Sequence, residues 1–241
     1  MFFYGIDWTY IIMVLPTVIF ALWASYHVKS TFKKYSAVRN MRGLTGAQAA
    51  QAVLSANGVS GVRIERVAGS LTDHYDPKSN VIRLSDSVYD APTPAAVGVA
   101  AHEAGHAVQY AENYAPIKLR AAIINATNIG SKLALPLIIV GILLMSITAL
   151  ARFYTVFYYI ALAGVLCYGL CVVFQLLTLP TEFNASRRAV AAIEGSGLLT
   201  ADEQKGARKV LSAAALTYVA ALATTLAQFL RLLMLVNRRR D

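Results

Sequence analysis

The chain has 241 residues, of which 57% are hydrophobic and only 15% are charged. Soluble domains contain about 45–50% apolar and about 25% charged residues, so this composition is typical of a membrane protein. The formal net charge of +9 would also suit a nucleic-acid-binding protein. The basic residues flank apolar segments, however, as topology signals do, and this argues against nucleic acid as a partner. Cys167 and Cys171 lie four apart in an apolar stretch and indicate neither a disulfide framework nor a cysteine zinc site.

Four apolar segments approach the roughly 20 residues that a bilayer-spanning helix needs. They cover about residues 8–26, 133–150, 153–177 and 211–236. Pro16 predicts a kink in the first segment. A very short turn joins the second and third segments, which predicts a helical hairpin. The fourth segment contains polar residues such as Gln228 and Arg231, so we expect it to pack against other helices or to end early.

Between the first and second segments the pattern changes to that of a small α+β unit. Residues 44–55 predict a helix. Residues 62–67 and 81–84 alternate between apolar and polar side chains, as strands do, and residues 76–80 are typical of a turn between them. The expected product is a short β-hairpin. After the third segment, residues 180–209 predict two further helices.

The segment His102-Glu103-Ala104-Gly105-His106 follows the pattern H-E-x-x-H. The two histidines share one face of a helix because they are four residues apart, and this spacing is typical of zinc metalloproteases. Glu103 is placed to polarise a water on the metal. The preceding residues 95–101 are small and apolar like a buried helix, with Thr93 available as the N-cap. A purely structural helix is the alternative, but it would bury two imidazoles and a carboxylate without need.

Catalytic zinc sites usually have three protein ligands and a water, so the histidine pair needs a partner. Glu182 is the best candidate, because it directly follows a predicted span and Pro180, at the mouth of the membrane and on the predicted side of the histidines. Its alternative role is a carboxylate that stabilises the start of a helix. His74, in the predicted turn between the strands, is a rival ligand, although an exposed loop residue is its simpler interpretation.

Lysine and arginine are concentrated in the segments that follow the first and third spans and that precede the second. By the positive-inside rule, these segments and the metal motif face the cytoplasm. The N-terminal apolar run lacks a basic start, so it is not expected to be a cleaved signal peptide. One feature disagrees with this topology, because Arg238-Arg239-Arg240 would lie outside if the fourth segment crosses the membrane.

Three stretches together are more specific than the zinc motif alone, namely residues 71–77, 99–109 and 179–189. Through them the chain resembles the YugP-type membrane zinc metallopeptidases, small multi-pass bacterial proteins, over nearly its whole length. This family is similar in layout to membrane gluzincins, whose third ligand is a Glu on a later helix, as Glu182 is here. Gluzincins often carry an Asp four residues after that Glu, beside a ligand histidine. This sequence has Ser186 there, so Asn184, Ser186 or Asp73 is expected to replace the carboxylate.

Pattern and resemblance together predict a mainly α multi-pass membrane protein with a small α+β zincin-like cytosolic unit, made of the zinc helix and a short β-hairpin. The expected parts are a first transmembrane helix (1–27), the zincin-like unit (28–131), a transmembrane hairpin (132–178), a helical segment with the third ligand (179–210) and a C-terminal apolar helix (211–241). The resemblance implies a metallopeptidase of the bacterial cell membrane with a role in proteolytic quality control.

In the predicted reaction, His102, His106 and Glu182 hold Zn²⁺ and leave one position for water. Glu103 takes the proton of that water and delivers it to the leaving amine. An extended peptide is expected to pair with the strand at residues 81–84, because backbone hydrogen bonds along a strand edge hold peptides with little sequence preference.

The oxyanion would be stabilised by His74, Tyr75 or Arg187, and the sequence does not choose between them. Expected partners are a peptide or membrane-protein substrate, the lipid bilayer, and a regulatory membrane protein or a second copy of the chain. The alternative class is a non-proteolytic membrane module, or a partner-dependent scaffold, in which zinc is structural. Such a site would be closed by a fourth protein ligand, for which His74 is the candidate.

Overall fold

The structure, a computed structural model, describes residues 7–238, which form long helices and one small sheet. The elements in chain order are a π-helical turn (Tyr10–Val14), α1 (Leu15–Ser36), α2 (Gly46–Ala56), β1 (Arg63–Val67), β2 (His74–Asp76), β3 (Val81–Ser85), α3 (Pro94–Ala111), α4 (Ala115–Met145), a 3₁₀ helix (Thr148–Phe153), α5 (Tyr154–Gly195) and α6 (Ala201–Asn237).

Four helical stretches are long and apolar enough to cross a bilayer, which confirms the four predicted membrane segments by length and composition. They are Tyr10–Ser36, Ala115–Met145, Thr148–Gly195 and Ala201–Asn237. Their bounds differ from the prediction, because the helices continue past the apolar stretches. α5 is one helix of 42 residues that runs through Pro180, so a continuous helix crosses the expected boundary at residues 178–179. The second and third segments are joined by a 3₁₀ helix rather than by a very short turn.

The chain divides into two compact units. Within the described range, the first unit contains residues 7–22, 119–179 and 219–238, and we call it the apolar unit. The second unit contains residues 23–118 and 180–218, and we call it the mixed unit because it includes the sheet. The four long helices α1, α4, α5 and α6 contribute residues to both units.

In the apolar unit, polar groups of the fourth segment are paired with polar groups of the N-terminal helix. The Arg231 Nε donates to the Asp7 carboxylate at 3.1 Å, and the Thr224 hydroxyl donates to the Thr17 carbonyl at 3.2 Å. The expectation that this segment packs against other helices is therefore confirmed. Residues 1–6 and 239–241, which include the start of the predicted first part (1–27) and part of the basic C-terminal triplet, lie outside the described residues.

The sheet of the mixed unit has the order β1-β3-β2. β1 and β3 are parallel, with Arg63 opposite Val81, so the hairpin expected between these two strands is wrong. The hairpin joins β2 and β3, which pair antiparallel, with Asp76 opposite Val81. β3 takes the central position because its apolar residues are the ones fully buried. His74 consequently lies on an edge strand and not in the turn.

The core of the mixed unit forms where α2, β3 and α3 meet. Val53, Ile82, Leu84 and Val97 are all at most 1% exposed in this cluster. The predicted start of α3 is confirmed, because the Thr93 hydroxyl accepts a hydrogen bond from the Ala96 backbone N–H at 3.2 Å. The run of small residues after this cap is almost fully buried, so α3 is fixed in the centre of the unit.

Small residues allow α3 to approach α5 closely within the mixed unit. A Cβ added at Gly105 would lie only 2.8 Å from the carbonyl oxygen of Ala185. A glycine is therefore required at this crossing, and the zinc motif supplies it between its two histidines. The crossing places Glu182, less than one turn before Ala185, against the histidine face of α3.

We expect Gly105→Ala to destabilise the protein by about 1–3 kcal/mol, because the added methyl group overpacks the crossing and the two backbones must separate. The readout is the apparent melting temperature of the full-length protein in detergent. Gly195→Ala, at the end of α5, is the matched control, because a Cβ there meets nothing within 4 Å. Equal melting temperatures for Gly105→Ala and the wild type would contradict the close crossing.

Candidate metal centre

Three potential ligands converge in the mixed unit. On α3 the two motif histidines lie one turn apart, with their rings at 83° to each other. Their Nε2 atoms lie 3.2 Å (His102) and 3.3 Å (His106) from the same Oε2 atom of Glu182 on α5. The side chains are buried, with 11% of each imidazole and 4% of the carboxylate exposed. The structure thus brings together the three residues that the sequence proposed as ligands.

The donor set and its spacing fit zinc. Ligands about 2.0–2.2 Å from a tetrahedral zinc ion lie about 3.3–3.5 Å from one another, which matches the nitrogen–oxygen separations in the cluster. Among residues 7–238, His102, His106 and Glu182 form the one group of three or more His, Cys, Asp or Glu side chains whose ligand atoms lie within 4.8 Å. Three protein ligands would leave a fourth position for water, as in catalytic zinc sites.

The second ring nitrogen of each histidine also has a partner. His102 Nδ1 lies 3.1 Å from the hydroxyl oxygen of Ser186, the residue at the position where gluzincins often carry Asp. His106 Nδ1 donates to the amide oxygen of Gln109 at 3.0 Å. Sequence reasoning assigned no role to Gln109. A signal was present, since a glutamine three residues after His106 is unusual in such an apolar helix.

Glu103 has surroundings different from those of Glu182. It is 8% exposed, and within the described part of the chain it makes no hydrogen bond or ion pair. A buried carboxylate without a protein partner is costly, so its position suits a group that binds a molecule from outside, such as water. Asp73 lies close enough for the Glu103 charge to influence its ionisation.

Asp73 is not the partner of either histidine Nδ1 atom, which is the contact that a replacement carboxylate would make. Its carboxylate accepts hydrogen bonds from the backbone N–H of Ser85 at 2.7 Å and from the Ser85 hydroxyl at 3.0 Å. Burial raises the pKa of Asp73, the Ser85 hydrogen bonds oppose this, and the charge of Glu103 raises it further. Asn184, the remaining candidate, contacts Gln109 rather than a histidine.

The candidate oxyanion residues lie outside the three-residue cluster. His74 is exposed on β2, with Nδ1 2.9 Å from the Thr72 carbonyl oxygen. The Tyr75 hydroxyl donates to Asn80 at 2.8 Å, and burial raises the pKa of Tyr75. Arg187 is exposed and, with Ser186, lines a cavity of about 510 Å³ between α5 and α6.

The fold has four helices that could cross a membrane, and the site has two histidines and one glutamate that could hold a metal ion. Residues 10–237 match the family described as "Putative neutral zinc metallopeptidase", and the chain belongs to this family. It is 41% identical over 232 residues to the "Putative membrane protease YugP" of Bacillus subtilis (strain 168). The aligned residues cover 96% of this chain and 98% of that protein. The resemblance stated from the sequence is thus confirmed. No solved structure matches the chain.

Metal uptake should release protons near neutral pH. Burial lowers the pKa of His106, but the hydrogen bond with Glu182 and the negative charges of Glu103 and Glu182 outweigh burial, so the pKa lies above its ordinary value of 6.5. A protonated imidazole cannot bind a metal, and the proton must leave first. The affinity for zinc should therefore fall as the pH decreases through this raised pKa.

Calorimetric titration with zinc in two buffers of different ionisation enthalpy measures the number of protons released. We expect proton release at neutral pH and weaker binding in acid. An affinity that stays constant from about pH 8 down to about pH 6, with no proton release, would contradict this picture of the cluster.

Proposed function

We propose that this protein is a zinc-dependent metallopeptidase that hydrolyses peptide bonds at the surface of the bacterial cell membrane, with peptides or membrane proteins as its substrates. The observation that carries the proposal is the convergence of two imidazoles and a carboxylate around one point, beside a second buried carboxylate that makes no hydrogen bond or ion pair with the described residues. Membership of the zinc metallopeptidase family supports it.

His102, His106 and Glu182 would hold the zinc ion. When bound, zinc supplies a Lewis acid that polarises the scissile carbonyl and lowers the pKa of water. The protein fixes the ligands before binding, because Ser186 contacts one imidazole and Gln109 the other. Ligands that are held in this way need little rearrangement on binding.

Glu103 would act as the general base. It follows a ligand histidine directly on α3, so it lies at the edge of the cluster, and no hydrogen bond to the described residues occupies its oxygens. It accepts the proton of the attacking water at a carboxylate oxygen and then donates this proton to the leaving amine. Asp73 is bound to Ser85 and the Glu182 Oε2 atom faces both imidazoles, so neither carboxylate competes for this role.

The peptide would pair with β2 rather than with β3. The strand at residues 81–84 was the expected partner, but β3 is central and both of its edges are occupied. β2 is an edge strand, and it lies against α3, where the Tyr75 and Tyr110 rings are 5.6 Å apart. Its outer edge offers backbone groups to an extended chain. Since Asn80 engages the Tyr75 hydroxyl, His74 and Arg187 are better oxyanion candidates.

The centre would face the cytoplasm. The mixed unit contains most of the lysine and arginine residues that flank the apolar segments, and such residues are enriched on the cytoplasmic side. A regulatory membrane protein or a second copy of the chain remains part of the proposal as a partner.

A structural zinc site finds less support. It would be closed by a fourth protein ligand. In the described part of the chain no further His, Cys, Asp or Glu joins the three-residue cluster, and His74 contacts Thr72 instead. A structural site also has no use for a carboxylate at Glu103, and this argues against the scaffold alternative.

Two carboxylate substitutions should separate metal binding from catalysis. Glu103→Gln should keep about one zinc per chain and lower peptide cleavage by about 10²–10⁴-fold, because the general base is lost. Glu182→Gln should lose the zinc, because a neutral amide is a poor ligand. Zinc content is measured by elemental analysis, and cleavage with a fluorescent peptide or casein.

Glu194→Gln on the same helix is the matched control, because Glu194 pairs with Arg208 and lies outside the cluster. It should retain both zinc and cleavage. Full zinc content in Glu182→Gln would show that this residue is not the third ligand. Unchanged cleavage in Glu103→Gln would remove the proposed base.

Cysteine labelling tests which side of the membrane the mixed unit faces. In a background without Cys167 and Cys171, a cysteine in place of the exposed Lys78 should react with a membrane-impermeant maleimide only after the cells are permeabilised. A cysteine in place of Arg152, between the second and third segments, should react in intact cells. The reverse pattern would place the metal centre on the outer face.

A further inference from the structure

A buried glutamine links one of the ligand histidines to the neighbouring helix. Gln109 is 0% exposed and lies one turn after His106 on α3. Its oxygen accepts the hydrogen bond from His106 Nδ1 at 3.0 Å. Its nitrogen donates to the backbone carbonyl of Thr181 at 2.8 Å and to the side-chain oxygen of Asn184 at 2.9 Å, both on α5. Both the oxygen and the nitrogen of the Gln109 amide are therefore hydrogen-bonded.

The orientation of the Gln109 amide is determined by hydrogen-bond partners whose donor or acceptor roles are fixed. The two orientations of a glutamine amide have the same shape, so hydrogen-bond partners must distinguish them. The Thr181 carbonyl can only accept. Asn184 presents its oxygen because Arg188 Nε donates to it at 2.8 Å, and a guanidinium can only donate. Both acceptors require the NH₂ group of Gln109, so its oxygen must face His106.

This orientation determines the tautomer of the neutral His106 imidazole. With an acceptor opposite Nδ1, the neutral ring of His106 carries its hydrogen on Nδ1 and keeps the lone pair on Nε2. Nε2 is the atom that lies 3.3 Å from Glu182. We propose that Gln109 is a positioning residue that holds His106 in its metal-binding tautomer and ties α3 to the backbone beside Glu182. This inference rests on the proposed zinc site, but not on peptide cleavage.

The other ligand histidine has no such constraint. The hydroxyl of Ser186, 3.1 Å from His102 Nδ1, can rotate to donate or to accept, so it suits either tautomer. At His106, by contrast, the hydrogen-bonded chain continues through Asn184 to Arg188, and Arg188 forms an ion pair with Glu112 at 2.6 Å. This series of hydrogen bonds ends at the Arg188 guanidinium, which can only donate. The donors and acceptors along the series therefore cannot exchange roles.

Two substitutions of Gln109 separate tautomer control from packing. Gln109→Met keeps the length of the side chain and removes all three hydrogen bonds, so the zinc affinity should fall by about 10–100-fold. Gln109→Glu keeps an acceptor for His106 but sets a carboxylate against two oxygens of α5. It should therefore lose thermal stability, as Gln109→Met does, while binding zinc about tenfold or more tightly than Gln109→Met.

Both quantities are measured on the full-length protein in detergent, the zinc affinity by competition with a chromophoric chelator and the stability as the apparent melting temperature. Gln204→Met is the matched control, because Gln204 donates to the Leu199 carbonyl at 2.9 Å and lies outside the ligand cluster. It should leave the zinc affinity unchanged.

Wild-type zinc affinity in Gln109→Met would overturn the inference. So would equal losses of affinity in Gln109→Met and Gln109→Glu, because the residue would then act through packing alone. A wild-type protein that binds no zinc would overturn both the inference and the proposed function. A wild-type protein that binds zinc tightly but cleaves no peptide would overturn the proposed function alone.

Discussion

The close crossing of α3 and α5 is the constraint on which the metal centre depends. The two backbones approach so closely that a side chain at Gly105 would collide with the Ala185 carbonyl. Only at this separation does the Glu182 carboxylate reach both imidazoles of α3. The same approach lets Gln109 donate to the backbone of α5 and lets Ser186 contact His102. The three side chains of the cluster and the residues that contact them therefore share one structural origin.

The centre has a cost that packing alone would not explain. α3 is almost entirely buried, and burying two imidazoles and two carboxylates in an apolar environment is unfavourable unless each is paired. Three of these four groups pair with one another. The fourth, Glu103, makes no hydrogen bond or ion pair with the described residues, and this is the arrangement that the proposed general base requires. The sequence is thus least favourable for folding where the proposed chemistry takes place.

The features that the sequence predicted correctly are those that short segments determine. The Thr93 cap, the burial of the small residues after it and the four apolar helices follow from local patterns. Glu182 was expected beside the histidines because a catalytic zinc site needs a third ligand, and the structure places it there, while its role as a ligand stays a prediction. The features that were missed depend on distant partners. β2 has three residues, too few for a pattern, and the parallel pairing of β1 with β3 depends on contacts between strands. The role of Gln109 depends on acceptors more than 70 positions away along the chain.

X-ray absorption spectroscopy at the zinc edge of the purified, zinc-loaded wild-type protein is the most direct test of the central claim. We expect a shell of nitrogen and oxygen atoms at about 2.0–2.2 Å with the scattering pattern of two imidazoles, a carboxylate and one further light atom. A sulfur ligand at about 2.3 Å, or a shell with three or more imidazoles, would contradict it.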